Sequence, residues 1–207
     1  DLIENNLKRI KLLEESAQMI YKEWFVNFRF PGYINTKFLH GIPEGWETRT
    51  ILEIAPFSYG KSLPDSQRLK GIFPVFGSSG IIGYHSEYLI EAPGIVIGRK
   101  GNVGSIFWVS ENFFPIDTVY YLLKKDVSPF VFFSLKEISF LNSDAAVPGL
   151  NRNYAHSIKI IVPNLDLLNE FNHVTIEYLK QIELLKSVNS KLKQARDLLL
   201  PKLMTGE

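Results

Sequence analysis

Cysteine is absent from the 207 residues, which removes disulfides, thiol nucleophiles and thiolate-held zinc or iron–sulfur centres together. A reducing, cytoplasmic setting is the expectation that this fits. No apolar run approaches the roughly 18 residues that a bilayer-spanning helix needs, so no membrane is expected among the partners. An excess of one charge is missing as well. Twenty-three Lys and Arg stand against 22 Asp and Glu, a net charge of +1, which argues against a polycation that coats phosphates loosely. What stays open is a protein that concentrates a few cations at one place, or one whose partners supply the rest. The chain starts at Asp1 and not at Met; no signal peptide is expected in it, and the expectation is an excised or processed piece, for which a larger parent protein is open.

Several kinds of chemistry are missing too. No lysine has an acidic residue two positions before it, so the carboxylate-x-lysine element of a common nuclease core is absent. No Asn- or Asp-Pro-Pro-aromatic tetrapeptide marks an amino-methyltransferase pocket. His40, His85, His156 and His173 are scattered singly, which suits surface or packing roles better than metal ligation. Ala55-Pro56-Phe57-Ser58-Tyr59-Gly60-Lys61-Ser62 imitates a phosphate-binding loop. That loop works by leading into a helix, and Pro56 and Pro64 leave the helix poorly supported. Gly94 to Gly104 has glycines spaced G-x-x-G-x-x-G, without the tight G-x-G of a dinucleotide site, and strand-like residues follow. Asp117 is a lone carboxylate suited to a turn. The chain is expected to catalyse nothing itself, with no metal and no cofactor of its own.

What is present is periodicity. In residues 2–26, Ile3, Ile10, Ala17 and Trp24 recur in sevens, with Leu13 and Ile20 three residues after the middle two. This suits either a coiled-coil seam or an ordinary amphipathic helix, ended before Phe30-Pro31-Gly32. From about Leu165 to Leu200, Phe171, Tyr178, Leu185, Leu192 and Leu199 recur in sevens. Leu168, Thr175, Ile182, Asn189 and Arg196 each precede one of them by three. Some 35 residues make a rod of roughly 50 Å, long for a globular helix, and a coiled coil is expected, with Asn189 as a polar register device. Pro201 is expected to stop it.

Between the helices the texture changes to short β-branched and aromatic runs bounded by Gly, Pro or Asn. Residues 73–76, 95–97, 105–109, 118–122 and 158–162 read as strands. Ser128-Pro129 reads as the cap and first turn of a buried helix reaching about Phe140. The fold class is therefore α+β, a compact domain of short strands and helices between two coiled-coil arms.

Several stretches together carry a resemblance. Leu13-Glu14-Glu15-Ser16-Ala17 to Tyr21-Lys22-Glu23-Trp24-Phe25, then Phe28-Arg29-Phe30-Pro31-Gly32, resembles a spacer leading into a recognition domain that opens at Ile42-Pro43-Glu44-Gly45-Trp46-Glu47. Phe73 to Tyr84 and Val96 to Gly104 are similar to two glycine loops of that domain. Val147-Pro148-Gly149-Leu150-Asn151-Arg152 and Leu198 to Glu207 complete the set. The resemblance is to specificity subunits of type I restriction–modification enzymes and spans nearly the whole chain. It implies a spacer helix at 1–30, a target-recognition domain at 33–162, a long spacer helix at 165–200 and a tail at 201–207. The long helices would form an antiparallel coiled coil. Such subunits usually carry two recognition domains; one is present here, as in the C-terminal half of a full subunit or a short form that pairs with itself.

The implied role is to read one half of a bipartite site in double-stranded DNA. The implied partners are methyltransferase (modification) subunits, which would bring S-adenosylmethionine, and a restriction or motor subunit, which would bring ATP and magnesium. A second recognition domain, from the parent chain or a homodimer copy, completes the set. Candidate DNA contacts are Lys61, Arg68, Lys70, Ser78, Ser79, Tyr84, Arg99, Lys100, Asn102, Asn151, Arg152 and Asn153. The loops allow close backbone approach to phosphate, and amides and guanidiniums match base edges. Equally, the glycines could make plain hairpin turns. Candidate assembly positions are Leu168, Phe171, Tyr178, Ile182, Leu185, Asn189, Leu192 and Leu199, packing on a spacer helix of the parent's other half or of another copy. The rival reading is a non-catalytic coiled-coil scaffold whose head binds protein or carbohydrate.

Overall fold

The computed structural model describes residues 1–140 and 149–205, side chains as far as Leu200. Val147 and Pro148 of the expected reading loop, and Gly206 and Glu207 of the tail, lie outside the described residues. In chain order the regular elements begin with α1 (Leu2–Tyr21), β1 (Phe38–Leu39), β2 (Ile42–Pro43), β3 (Glu47–Thr50), α2 (Ile51–Ile54) and β4 (Ser58–Tyr59). Next come β5 (Phe73–Gly77), β6 (Gly80–His85), β7 (Gly94–Gly98), β8 (Ile106–Val109), β9 (Phe114–Pro115) and β10 (Val119–Tyr121). The last are α3 (Pro129–Glu137), α4 (Arg152–Ser157), β11 (Lys159–Val162) and α5 (Leu165–Thr205). They divide into two units, Asp1–Asn35 with Asp166–Glu207, and Thr36–Leu165.

The first unit is an antiparallel helix pair. Asp1 caps α1 by accepting the Glu4 N–H at 3.0 Å, and a π-helical turn, Lys22–Val26, follows α1. Ile10 shares a cluster with Ile182 and Leu185, edged by Leu13. Tyr21, Trp24 and Phe25 surround Phe171 at ring separations of 6.0, 5.8 and 4.9 Å. Rising numbers in α1 meet falling numbers in α5, so the chains run antiparallel. At the other end Asn6 donates its side-chain amide to Asn189 Oδ1 at 2.9 Å, and Asn189 donates to the Ile3 carbonyl at 3.3 Å. The Asn6 amide is thus satisfied by Asn189, and the Asn189 amide by the Ile3 backbone, which singles out one register.

Two expectations need correction here. The seam of α5 from Phe171 to Asn189 is covered by α1 of the same chain, not by an outside helix. The two seams meet through an apolar cluster, an aromatic cluster and an amide pair, and pairing within one chain carries no cost of association. Pro201 does not stop α5, which continues to Thr205; a proline removes one ladder hydrogen bond, and a helix can run on around a single missing bond. Among the assembly positions, Phe171, Ile182, Leu185 and Asn189 are buried, Leu168, Tyr178 and Leu192 half-buried, and Leu199 exposed. Leu179, outside the heptad seam, is buried, because a straight helix of 3.6 residues per turn drifts away from a 3.5 repeat.

The second unit is built on a four-stranded antiparallel sheet, β4-β10-β7-β8, and a three-stranded sheet, β6-β5-β9. Phe76, Val96, Val109, Phe113 and Val119 form one apolar cluster and Leu63, Val75 and Phe114 another. Burying a side chain of this size is worth about 1.5–3 kcal/mol. Ser128 caps α3 through the Val131 N–H at 3.2 Å, and Phe132 meets Trp108 of β8 edge-on at 5.7 Å. The helix ends at Glu137, short of the expected Phe140, because Ile138 turns extended. β3 pairs with β11 from Glu47↔Val162 to Thr50↔Lys159, joining the two ends of the unit.

Candidate nucleic-acid interface

Three adjacent strands present the centre of the site. Tyr59 of β4 lies opposite Tyr120 of β10, and Tyr120 lies opposite Ile97 of β7, two residues before Arg99. β4 sits tightly on the chain beside it. A Cβ at Gly60 would collide with the Ile116 carbonyl, so glycine is required there by close approach. The segment that imitates a phosphate-binding loop is therefore a short strand running into irregular chain and a three-residue 3-10 turn, Asp65–Gln67, with no α-helix behind it.

The glycine loop after β7 closes on itself and meets the β5–β6 turn. The Gly98 N–H donates to Ser105 O at 2.8 Å and the Gly104 N–H to Gly98 O at 2.9 Å. A Cβ on Gly98 would strike the Asn102 carbonyl and the Ser105 hydroxyl. Ser105 Oγ donates to the Ser78 carbonyl, and the Asn102 N–H reaches Ser78 Oγ at 3.4 Å. A third segment joins them: Lys100 bridges Gly149, and the Leu150 N–H donates to Arg99 O at 2.8 Å. Tyr120 then donates its hydroxyl to Leu150 O at 2.9 Å. Burial, and then the neighbouring Tyr59, hold Tyr120 above the usual tyrosine range, which keeps it a neutral donor.

Arg99 and Arg152 converge on one ring. Their guanidinium carbons lie 5.0 and 4.6 Å from the Tyr59 ring centre, within the range of cation–π attraction. Arg99 also donates to the Asp117 carbonyl at 2.9 Å. Arg152 opens α4, which Asn151 caps by accepting the Tyr154 N–H at 3.1 Å. Beneath it, His156 Nε2 accepts the Phe57 N–H at 2.8 Å. Burial, and then the Arg152 charge, push His156 below the usual imidazole value.

The candidates therefore separate into groups. Ser78, Ser79, Arg99, Lys100, Asn102, Asn151, Arg152 and Asn153 belong to the three converging segments, and Lys61 follows β4 through its N–H to Pro115 O at 3.0 Å. Lys61, Arg99, Lys100 and Arg152 make no ion pair among the described residues. Asn151 Oδ1 is occupied by its capping bond, leaving its amide N–H groups for a ligand. Arg68, Lys70 and Tyr84 lie toward the opposite end of the β5–β6 hairpin from the Ser78–Ser79 turn. Arg68 is largely buried and pairs with Asp65 at 2.7 Å while donating to Ile82 O at 3.2 Å, so it braces that end of the hairpin. Lys70 and Tyr84 are exposed there. Tyr59 was not among the sequence candidates; the available signal was an aromatic residue beside Gly60-Lys61 in a strand-like run.

Among the described residues no group of His, Asp and Glu could hold a metal, and no helix is long and apolar enough to cross a membrane. Fold and site together define a recognition module, a head with a cationic, glycine-looped face and an antiparallel helical arm. Residues 43–195 match the type I restriction modification DNA specificity domain, and the chain belongs to that family. It is 26% identical to the MjaIX specificity subunit of Methanocaldococcus jannaschii, over all of this chain and 55% of the relative. It is 22% identical to the HindI specificity subunit of Haemophilus influenzae, over 80% of this chain and 42% of the relative. The chain thus spans about half the length of the curated relatives it matches. In fold it resembles the S subunit from M. genitalium, with a TM-score of 0.76 at 22% identity over 98% of this chain and 56% of that one. The HsdS subunit from Thermoanaerobacter tengcongensis is similar with a TM-score of 0.54 at 18% identity, over 96% and 52% of the two chains.

Proposed function

We propose that the chain reads one half of a bipartite site in double-stranded DNA as the specificity component of a type I restriction–modification complex. The observation that carries this is the convergence of three segments, Ser78–Ser79, Arg99–Asn102 and Gly149–Asn153, around cations that no described residue pairs, in a chain of net charge +1. Flexible cations scattered over a surface would coat phosphates; cations fixed on strands and short loops suit register and base readout. The chain itself is non-catalytic in this reading. Methyltransferase subunits would supply S-adenosylmethionine chemistry, and a motor subunit would supply ATP, magnesium and cleavage.

Exposed apolar residues on the arm support assembly. Leu2, Leu12 and Met19 are exposed one position before the seam residues Ile3, Leu13 and Ile20, as are Val174 and Leu184 before Thr175 and Leu185. In an antiparallel pair these two flanks lie on the same side. A further helix from a methyltransferase subunit, or from a second recognition half, would cover that stripe. A scaffold with a protein- or carbohydrate-binding head is not favoured, because the family match covers the head from residue 43 onward and continues along α5 to residue 195.

Selection of bound duplexes from a random pool, with the methyltransferase present, tests the reading. A single half-site motif is expected, with affinity falling steeply as salt rises. Enrichment of no motif, at any salt, refutes it.

A further inference from the structure

Arg152 has the features of a base reader, and Tyr59 is the residue that makes it one. A guanidinium is a planar fork of five donors. Among the described residues Arg152 donates to no carboxylate and no carbonyl; its defined partner is the face of Tyr59, 4.6 Å away. The contact seats the guanidinium over the ring while no described residue takes its hydrogen-bonding edge, and it limits the rotamer freedom that an arginine otherwise loses on binding. Arg99 shares the ring but has one nitrogen tied to Asp117 O, and it carries the Leu150 N–H on its own carbonyl. It is thereby held to two backbone segments, as a fixed cation suited to a phosphate. Tyr59 itself stands on a strand that Gly60 seats against Ile116, so the platform is rigid.

Resting on the proposed DNA reading, we infer that Arg152, stacked on Tyr59, reads a guanine through O6 and N7, and that Tyr59 is its positioning residue. A bidentate fork held in one plane matches the two acceptors that guanine presents in the major groove. An adenine offers a donor at one of those places, and a thymine a methyl group. Arg99 anchors the adjoining phosphate, so the pair divides into one positioning and one specifying cation.

The test uses the full chain in three forms beside the unaltered one: Arg152→Lys, Tyr59→Phe and Tyr59→Leu. Each, with the methyltransferase present, is taken through selection from a random duplex pool, and then through anisotropy titrations on duplexes that vary one base pair at a time. The unaltered chain should enrich a motif containing a guanine at which 7-deazaguanine costs roughly tenfold or more. Arg152→Lys and Tyr59→Leu should each lose preference at that one position and keep it elsewhere. 7-Deazaguanine should then add little further loss. Tyr59→Phe, which keeps the ring face, should behave as the unaltered chain. A uniform loss on every sequence in Arg152→Lys would make Arg152 a phosphate contact and overturn the inference while the DNA reading stands. An unchanged motif in Arg152→Lys, or full preference in a folded Tyr59→Leu, would overturn it likewise. Failure of the unaltered chain to enrich any motif would overturn both.

Discussion

Replacing the buried amide pair of the arm one residue at a time, and then together, separates its stability from its register. Asn6 and Asn189 are 3% and 5% exposed, and leucine nearly matches asparagine in shape. In Asn189→Leu, the Asn6 amide loses its acceptor and stays buried with its donors unmet, a cost of about 2–3 kcal/mol. In Asn6→Leu, Asn189 keeps its bond to the Ile3 carbonyl and only its oxygen is stranded, so the loss is nearer 1 kcal/mol. Independent effects would sum to about 3–4 kcal/mol in the double variant. Because the double variant strands nothing and adds apolar contact, it should instead unfold close to the unaltered chain or later. Urea unfolding followed by the far-ultraviolet helix signal measures all four proteins. Loss in the double variant equal to the sum of the singles would refute the reasoning and mean that the amides do not depend on each other. The specificity that the pair supplies should also disappear. A cysteine pair at Ile10 and Ile182, in a chain that has no native cysteine, should oxidise less completely in the leucine background, where a slipped register is no longer excluded.

Three further outcomes follow from the geometry. Gly60→Ala should cost about 1–3 kcal/mol through its clash with the Ile116 backbone, and should weaken duplex binding more than it lowers the melting temperature, since Tyr59 is displaced. His156 has a lowered value in the folded chain, so its contribution is fully present above the unfolded imidazole value of about 6.5 and is lost as pH falls through the folded one. Melting temperatures at descending pH should show this loss, and His156→Gln should flatten it. A heptad inserted after Lys186 alone would carry Asn189 away from Asn6 and destabilise the arm. Matched heptads after Lys8 and Lys186 should restore the Asn6–Asn189 pairing and the urea midpoint while lengthening the helix pair by ~10 Å.

The arm was legible because a seven-residue repeat survives in sequence wherever apolar residues face one neighbour. Its polar member on α1 was legible in place but not in kind: Asn6 stands three residues after Ile3, as Leu13 does after Ile10, and only its partner Asn189 reveals why an amide sits on the buried face. The strands around β7 were legible from β-branched runs between glycines. The pairing of β3 with β11 was not, since Glu47-Thr48-Arg49-Thr50 is polar and its partner lies more than a hundred residues on. At the site, the glycine loops announced themselves by composition. The role of Tyr59 depends on a cross-strand neighbour and on two cations from distant segments, which no local spacing encodes. Arg68 misled for the same reason; its charge is visible in sequence, but its burial against Asp65 and Ile82 is a tertiary fact.

The joining of α1 to α5 also sets an order of events during synthesis. Asn6 meets Asn189 across 183 residues, and at roughly 5–20 residues per second a ribosome needs about 10–40 s to make that stretch. Throughout this time Ile10, Ala17, Tyr21 and Phe25 have been made while their partner has not. The strand-rich unit, complete once Val162 has emerged, can meanwhile fold by itself. A nascent chain stalled before Phe171 would therefore present a finished head and an α1 whose adhesive face lacks α5, the state in which a chaperone or a neighbouring nascent copy would find it.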